Sequence, residues 1–96
     1  MRKYEVTYII HPDLDGDAFK ALNEQVQGWI TTPGGTIEKT DVWGKRKLAY
    51  PIKKQGEGQY VLLHTEMDPT QCAELERQFR LQEAIMRFLI VAVDEA

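Results

Sequence analysis

Four consecutive apolar residues, Tyr60-Val61-Leu62-Leu63, open the segment Tyr60–Met67 and do most to limit the folds available to this chain. Successive side chains of a strand point to opposite faces, so Tyr60 and Leu62 stand on one face and Val61 and Leu63 on the other. A strand that is apolar on both parities needs cover on both sides, which places it in the interior of a sheet. A second strand, Thr36 through Ile52, reads in the opposite way. Its Pro51 has no amide hydrogen to give a ladder and belongs on a sheet edge, and Gly44 allows a bulge and a bend within it.

The remaining segments supply two more strands and two helices. From Lys3 to Ile10 the side chains alternate, and Tyr4, Val6, Tyr8 and Ile10 form the parity expected to face a core. His11-Pro12-Asp13 ends that strand, because proline removes a donor and biases its neighbour away from helix. Asp13, Asp15 and Asp17 then crowd a helix start, where carboxylates cap orphan amides and suit the dipole. Phe19, Leu22, Val26, Trp29 and Ile30 follow as one helical stripe. Gly28 within it costs about 1 kcal/mol relative to alanine. Thr32-Pro33-Gly34-Gly35 is a stop signal, and Lys53–Gly58, with two glycines, reads as a hairpin loop. Asp68-Pro69-Thr70-Gln71 opens the second helix, with Asp68 as cap, Pro69 at the first position and Gln71 completing a capping box. Its stripe is Cys72, Leu75 and Phe79, with Glu74, Glu76 and Arg77 outward. Ile85–Val93 is the last strand, followed by a short polar end, Asp94-Glu95-Ala96.

The order is β-α-β-β-α-β over a single domain, residues 1–96, and both helices must cover the same sheet face to bury their stripes. This is an α+β, ferredoxin-like arrangement: a four-stranded antiparallel sheet in the order 4-1-3-2 with two helices on one face. The opposite face then carries Lys3, Ile9, Arg87, Leu89 and Val91, an apolar patch with a basic rim that fits a partner.

Charge is distributed unevenly. The stretch Val42–Gly56 holds Lys45, Arg46, Lys47, Lys53 and Lys54, five of the chain's 12 basic residues and none of its 15 acidic ones, leaving seven basic against 15 acidic elsewhere. Trp43, Leu48, Tyr50 and Ile52 are interleaved, a pattern expected to turn the apolar residues to a core and the cations outward. Such a strip fits a polyanion, whose counterions lysine and arginine release. It also fits an edge strand protected against pairing with other chains. The net charge of −3 argues against indiscriminate nucleic-acid binding, so an RNA role rests on the local strip and a helper protein. With 43% hydrophobic and 28% charged residues the chain is an ordinary globular domain. A lone Cys72 offers neither an internal disulfide nor a metal pair, which fits the cytoplasm. No segment has the length of apolar sequence needed to span a bilayer, and Met1-Arg2-Lys3-Tyr4-Glu5 enters a strand pattern without a signal-peptide core.

Catalytic and metal chemistry lack convergent residues. His11 and His64 stand alone, with no second ligand at metal spacing. Cys72 sits on an apolar helix stripe and reads as a core residue. Gly34-Gly35 and Gly56-Glu57-Gly58 lack the surroundings of a phosphate cradle. The three aspartates before the first helix are better explained by capping than by Mg²⁺. RNA-binding modules of this topology place aromatics on the third strand, where Glu57 and Gln59 stand here, so base stacking is not supported, whereas backbone and shape contacts are. A regulatory or small-ligand-binding domain of the same form needs a defined polar pocket. An acylphosphatase-like enzyme needs a glycine-rich, arginine-bearing loop after the first strand, where the acidic His11-Pro12-Asp13-Leu14-Asp15 stands.

Three stretches together resemble a known family. Arg2-Lys3-Tyr4-Glu5-Val6 with His11-Pro12, then Trp43-Gly44-Lys45-Arg46-Lys47-Leu48-Ala49-Tyr50-Pro51-Ile52, then Phe79-Arg80 with Ala84-Ile85-Met86-Arg87 are similar to the bacterial small-subunit ribosomal protein six family across nearly the whole chain. The resemblance implies a ferredoxin-like fold, no enzymatic activity, no cofactor and a place in the platform of the cytoplasmic small subunit. There the protein would join small-subunit ribosomal protein eighteen, and the pair would bind the central domain of the rRNA. A basic partner would account for the acidic overall charge. Many members continue into a charged tail, and functions of such a tail are not carried over to a chain ending at Ala96. By position, Arg2, Lys45, Arg46, Lys47, Lys53, Lys54, Arg87 and Arg80 are the expected rRNA contacts, and Ile9, Leu89 and Val91 the expected contacts with the partner protein.

Overall fold

The computed structural model describes residues 1–93, which run β1 (Arg2–Ile10), α1 (Gly16–Thr31), β2 (Thr36–Ile52), β3 (Gln55–Met67), α2 (Gln71–Leu81) and β4 (Ile85–Ala92). The strands form one antiparallel sheet in the order β2-β3-β1-β4. Pro51 therefore lies on an edge strand and the doubly apolar segment in the interior, the ferredoxin-like arrangement expected. The last strand ends one residue before Val93, whose amide still donates to the Lys3 carbonyl at 2.9 Å. The polar end Asp94-Glu95-Ala96 lies outside the described residues.

The core forms between one face of the sheet and the two helices. Tyr4, Val6, Tyr8 and Ile10 of β1 are buried beside Val61, Leu63, Thr65 and Met67 of β3. Leu22, Val26 and Ile30 of α1 and Leu75 and Phe79 of α2 cover them. Four elements meet at Phe79. Its ring centroid lies 5.5 Å from Tyr8, 5.7 Å from Trp29 in an edge-on contact, and 5.0 Å from Phe88 in a stack. Each such pair contributes about 0.5–1.5 kcal/mol beyond the area it buries. The Tyr8 hydroxyl donates to Asn23 Oδ1 at 2.5 Å, and burial pushes its pKa up, so it stays a donor at ordinary pH. Among the described residues no buried side-chain polar atom lacks a partner.

The helix ends follow local chemistry. Asp15 caps α1, accepting from the Ala18 amide at 2.9 Å. Gly28 does not interrupt the helix, which continues to Thr31. Gly34 then takes a φ of 112°, and the Gly35 amide donates back to the Ile30 carbonyl at 3.0 Å. The second helix begins later than expected. Asp68-Pro69-Thr70 forms a turn before it, in which the Asp68 carboxylate accepts from the Thr70 amide at 3.0 Å and the Thr70 hydroxyl at 2.9 Å. Gln71 Oε1 accepts from the Asp68 amide at 3.0 Å, so the return half of the capping box is present while the forward half falls on Thr70.

The β2–β3 connection is tighter than the expected Lys53–Gly58 loop. Ile52 pairs with Gln55, leaving Lys53 and Lys54 as the two central turn residues, with φ of 49° and 67°. Two positive φ values define a type I′ turn, whose backbone twist matches that of the strands. The glycines that marked a loop, Gly56 and Gly58, are strand residues. Left-handed backbone costs a non-glycine residue about 1–2 kcal/mol, and lysine has no side-chain carbonyl to offset it.

Replacing Lys53-Lys54 by Asn-Gly is expected to keep the turn and stabilise the chain by about 1–3 kcal/mol. Urea unfolding would show a higher midpoint at unchanged slope; a midpoint equal to or below the parent's would show that the turn holds no strain. A second expectation concerns acid. Hydrogen bonds from the Thr70 amide and hydroxyl hold the Asp68 carboxyl below the usual carboxylate range. A depressed folded-state pKa gives stability that is present above the unfolded-state pKa and is lost as pH falls through the folded value. Asp68→Asn should therefore lose less stability than the parent between neutral and acid pH, read from urea midpoints along the series.

Candidate nucleic-acid interface

β3 outruns its inner neighbour. Its pairing with β1 ends at Ile10↔Gln59, whereas its pairing with β2 continues through Lys45↔Gln59, Arg46↔Gly58 and Lys47↔Glu57 to Ile52↔Gln55. A two-stranded ribbon thus projects past the end of β1. Two irregularities bend it: a shift between Val42 and Gly44, where Gly44 has a φ of 77°, and a larger one between Lys47 and Ile52. A Cβ placed on Gly58 would overlap Cγ2 of Ile9, so glycine is what lets the ribbon lie against the open sheet face.

The bend decides where the cations stand. Arg46 pairs with Gly58 and lies on the open-face side with Ile9. Lys45 and Lys47 stand on the other side, in a cleft with Pro12, Asp13 and Glu57. The strip is therefore free of acid along the chain but not in space, and its cations do not share one face as expected. Lys53, at the turn, lines a cleft with Arg80 and Arg87, drawn from α2 and β4. Among the described residues Lys45, Arg46, Lys47, Lys53, Lys54 and Arg87 form no ion pair, whereas Arg80 lies 3.9 Å from Glu76 and 5.9 Å from the Phe88 ring centre. Arg2 pairs with Met67 at the far end of β1, ~26 Å from Ile10 at about 3.3 Å per residue, and is not part of this cluster.

The interleaved aromatics also depart from the expectation. Trp43 and Tyr50 do not face the core; they are 48% and 63% exposed. Trp43 stacks on Tyr60 with ring centroids 6.1 Å apart and planes within 7°. Tyr50 and Tyr60 line one cleft with Ile9, Leu48, Ile52 and Arg87. The signal that reveals them is Gly44, since a bulge between Val42 and Gly44 breaks the alternation on which their inward placement rested.

Of the three apolar residues expected on the open face, Leu89 and Val91 are exposed, at 60% and 44%. Ile9 is on that face but buried, because the bent ribbon covers it, which corrects its expected accessibility. Further along the same face His64 lies 3.4 Å from Asp41 and 3.9 Å from Glu5, and Lys3 lies 3.8 Å from Glu38. Among the described residues no three His, Cys, Asp or Glu side chains are placed to hold a metal ion. No helix is long and apolar enough to cross a membrane.

Residues 3–92 match the family model described as Ribosomal protein S6. The small ribosomal subunit protein bS6 of Clostridium kluyveri is 50% identical over 91 residues, which span 95% of this chain and 96% of that protein. The bS6 of Caldanaerobacter subterraneus is 44% identical over 95 residues, spanning 99% of this chain and 100% of that protein. Among solved structures, the crystal structure of 30S ribosomal protein S6 from Thermotoga maritima matches with a TM-score of 0.91 at 33% identity, covering 96% of this chain and 87% of that one.

Gly58→Ala tests the contact that shapes the interface. The added methyl meets a β-branched side chain that cannot swing aside, and overpacking of this kind costs about 1–3 kcal/mol. The variant should unfold at lower urea; an unchanged midpoint would mean that Ile9 yields without cost.

Proposed function

The chain belongs to the ribosomal protein S6 family and is a structural, non-catalytic protein of the small ribosomal subunit, and we propose that it binds the central domain of the rRNA together with small-subunit ribosomal protein eighteen. The observation that carries this reading is the gathering of Arg46, Lys53, Lys54, Arg80 and Arg87 from β2, the turn, α2 and β4 at one end of the sheet. All but Arg80 lack an ion pair among the described residues, so their charge is available to phosphates. Lys45 and Lys47 extend the surface around the ribbon, beside Asp13 and Glu57. Arg2 enters as a separate contact at the opposite end. Backbone phosphates suit this mixture of lysines and arginines approaching from several directions, since they fix position without reading sequence.

The partner protein meets the open sheet face in this reading. Leu89 and Val91 project from the edge strand β4, while Ile9 supports that face from beneath the ribbon. The body of the chain is acidic, with seven basic against 15 acidic residues outside the strip, and a basic partner supplies the phosphate neutralisation that this body cannot. As a small-subunit ribosomal protein the chain acts in the cytoplasm.

The test is binding to a central-domain rRNA fragment across a salt series with protein eighteen present. Lys45→Glu, Arg46→Glu and Lys47→Glu together are expected to weaken binding and to lower the slope of log K against log salt by about 2–3, at 0.7–0.9 per phosphate contact. The neutral Gln triple, folded with the parent's circular dichroism, should lie between. Unchanged affinity and slope in both would reject the assignment.

A further inference from the structure

Phosphate contacts leave the exposed aromatics at the same end of the sheet unexplained. Tyr50 is 63% exposed and makes no ring contact among the described residues. It lines a cleft of about 190 Å³ whose other residues include Ile9, Leu48, Ile52, Tyr60 and Arg87. Tyr60 is held from outside the cleft by its stack with Trp43. One aromatic is thus fixed and the other free, and their rings are not in contact with each other. No carboxylate lines the space.

Resting on the RNA reading above, we propose that this cleft is a stacking site for an unpaired nucleobase of the bound RNA, with Tyr50 and Tyr60 supplying ring faces and Arg87 meeting the neighbouring phosphate. The lining decides the class of ligand. Aromatic and aliphatic surface with few hydrogen-bonding groups favours stacking, which every base accepts, over recognition of base edges. Arg87 in the lining, with Arg46 on the same face, repels a basic peptide and attracts a ring carried on a phosphate chain. The ring faces come from β2 and the middle of β3, not from the third-strand positions of the RNA-binding motif, which hold Glu57 and Gln59 here. Ile9 closes the cleft from the β1 side, so the side chain that sits against Gly58 also forms part of its apolar surface.

Stacking releases no counterions, and that separates it from the phosphate contacts. In the assay with protein eighteen and the rRNA fragment, Tyr50→Ala should lower affinity about 5- to 100-fold at an unchanged salt slope. Tyr50→Leu, which keeps apolar bulk without a ring, should be weakened likewise, and Tyr50→Phe should recover binding. Chemical probing should find an unpaired base shielded in the parent complex and reactive in the Tyr50→Ala complex. Affinity within twofold of the parent for both Ala and Leu variants overturns the stacking site. If the charge reversal at Lys45, Arg46 and Lys47 still weakens binding in that case, only the stacking site fails; if it does not, the RNA reading fails as well. A loss confined to association with protein eighteen in the absence of RNA assigns the cleft to a protein side chain and likewise overturns the proposal.

Discussion

The backbone of Gly58 lies against Ile9 with no room for a side chain between them, and the position of the positive charge follows from that contact. β3 extends beyond the end of β1, so β2 and β3 leave the sheet as an unsupported ribbon. A straight ribbon would carry its lysines away from the rest of the molecule. Close approach at Gly58 and the register shifts in β2 instead turn it across the open face, where it covers Ile9 and brings the turn beside α2 and β4. Cations separated by more than 30 positions in the sequence, such as Lys53 and Arg87, thereby line one cleft.

Local arrangement matters more here than net charge. The Debye length is about 8 Å at physiological salt, so the acidic residues at the far end of the sheet do little to cancel a field at the ribbon. Some of those acids are paired where they stand, as the contacts of Asp41 with Lys39 and of Glu38 with Lys3 show. Exposed pairs of this kind contribute about 0–1 kcal/mol at most. Their effect is on the surface: they reduce the negative charge of that part of the open face beside Leu89 and Val91, whereas among the described residues Arg46, Lys53 and Arg87 stand unpaired at the other end. One face thus carries an apolar area and a cationic margin side by side.

The fold was legible because the body of the chain keeps strict periods. Tyr4, Val6, Tyr8 and Ile10 are buried as alternation requires, and Pro51 lies on the edge strand to which a missing donor assigns it. The bounds of β2 were read correctly, yet the directions of its side chains were not. Alternation passes through a strand only while the register holds, and each bulge reverses every side chain beyond it. Gly44 marks a bulge site in the sequence, but its consequence for Trp43 and Tyr50 depends on the strand having by then left the helices behind. Lys53-Lys54 carried no turn signal either, since neither residue favours positive φ, and the nearby glycines drew the loop toward positions that are strand. The site residues were legible only as a set of cations; Arg2 could not be separated from the others without the register that puts it at the opposite end.

The departures from local rules are not scattered. Positive φ at two lysines, half-exposed Trp43, exposed Tyr50 and two of the three interruptions of the β2 ladder fall between Val42 and Ile52 or at the turn that follows; the third interruption lies between Ile37 and Lys39. Over most of the rest of the chain, helix stripes and strand parity agree with the fold. Left-handed lysine and solvent-facing tyrosine each cost the chain free energy, offset in part by the match of the turn's twist to the strands and by the burial of Ile9 beneath the ribbon. The regular sheet and helices beneath the ribbon supply the stability against which these local costs are borne.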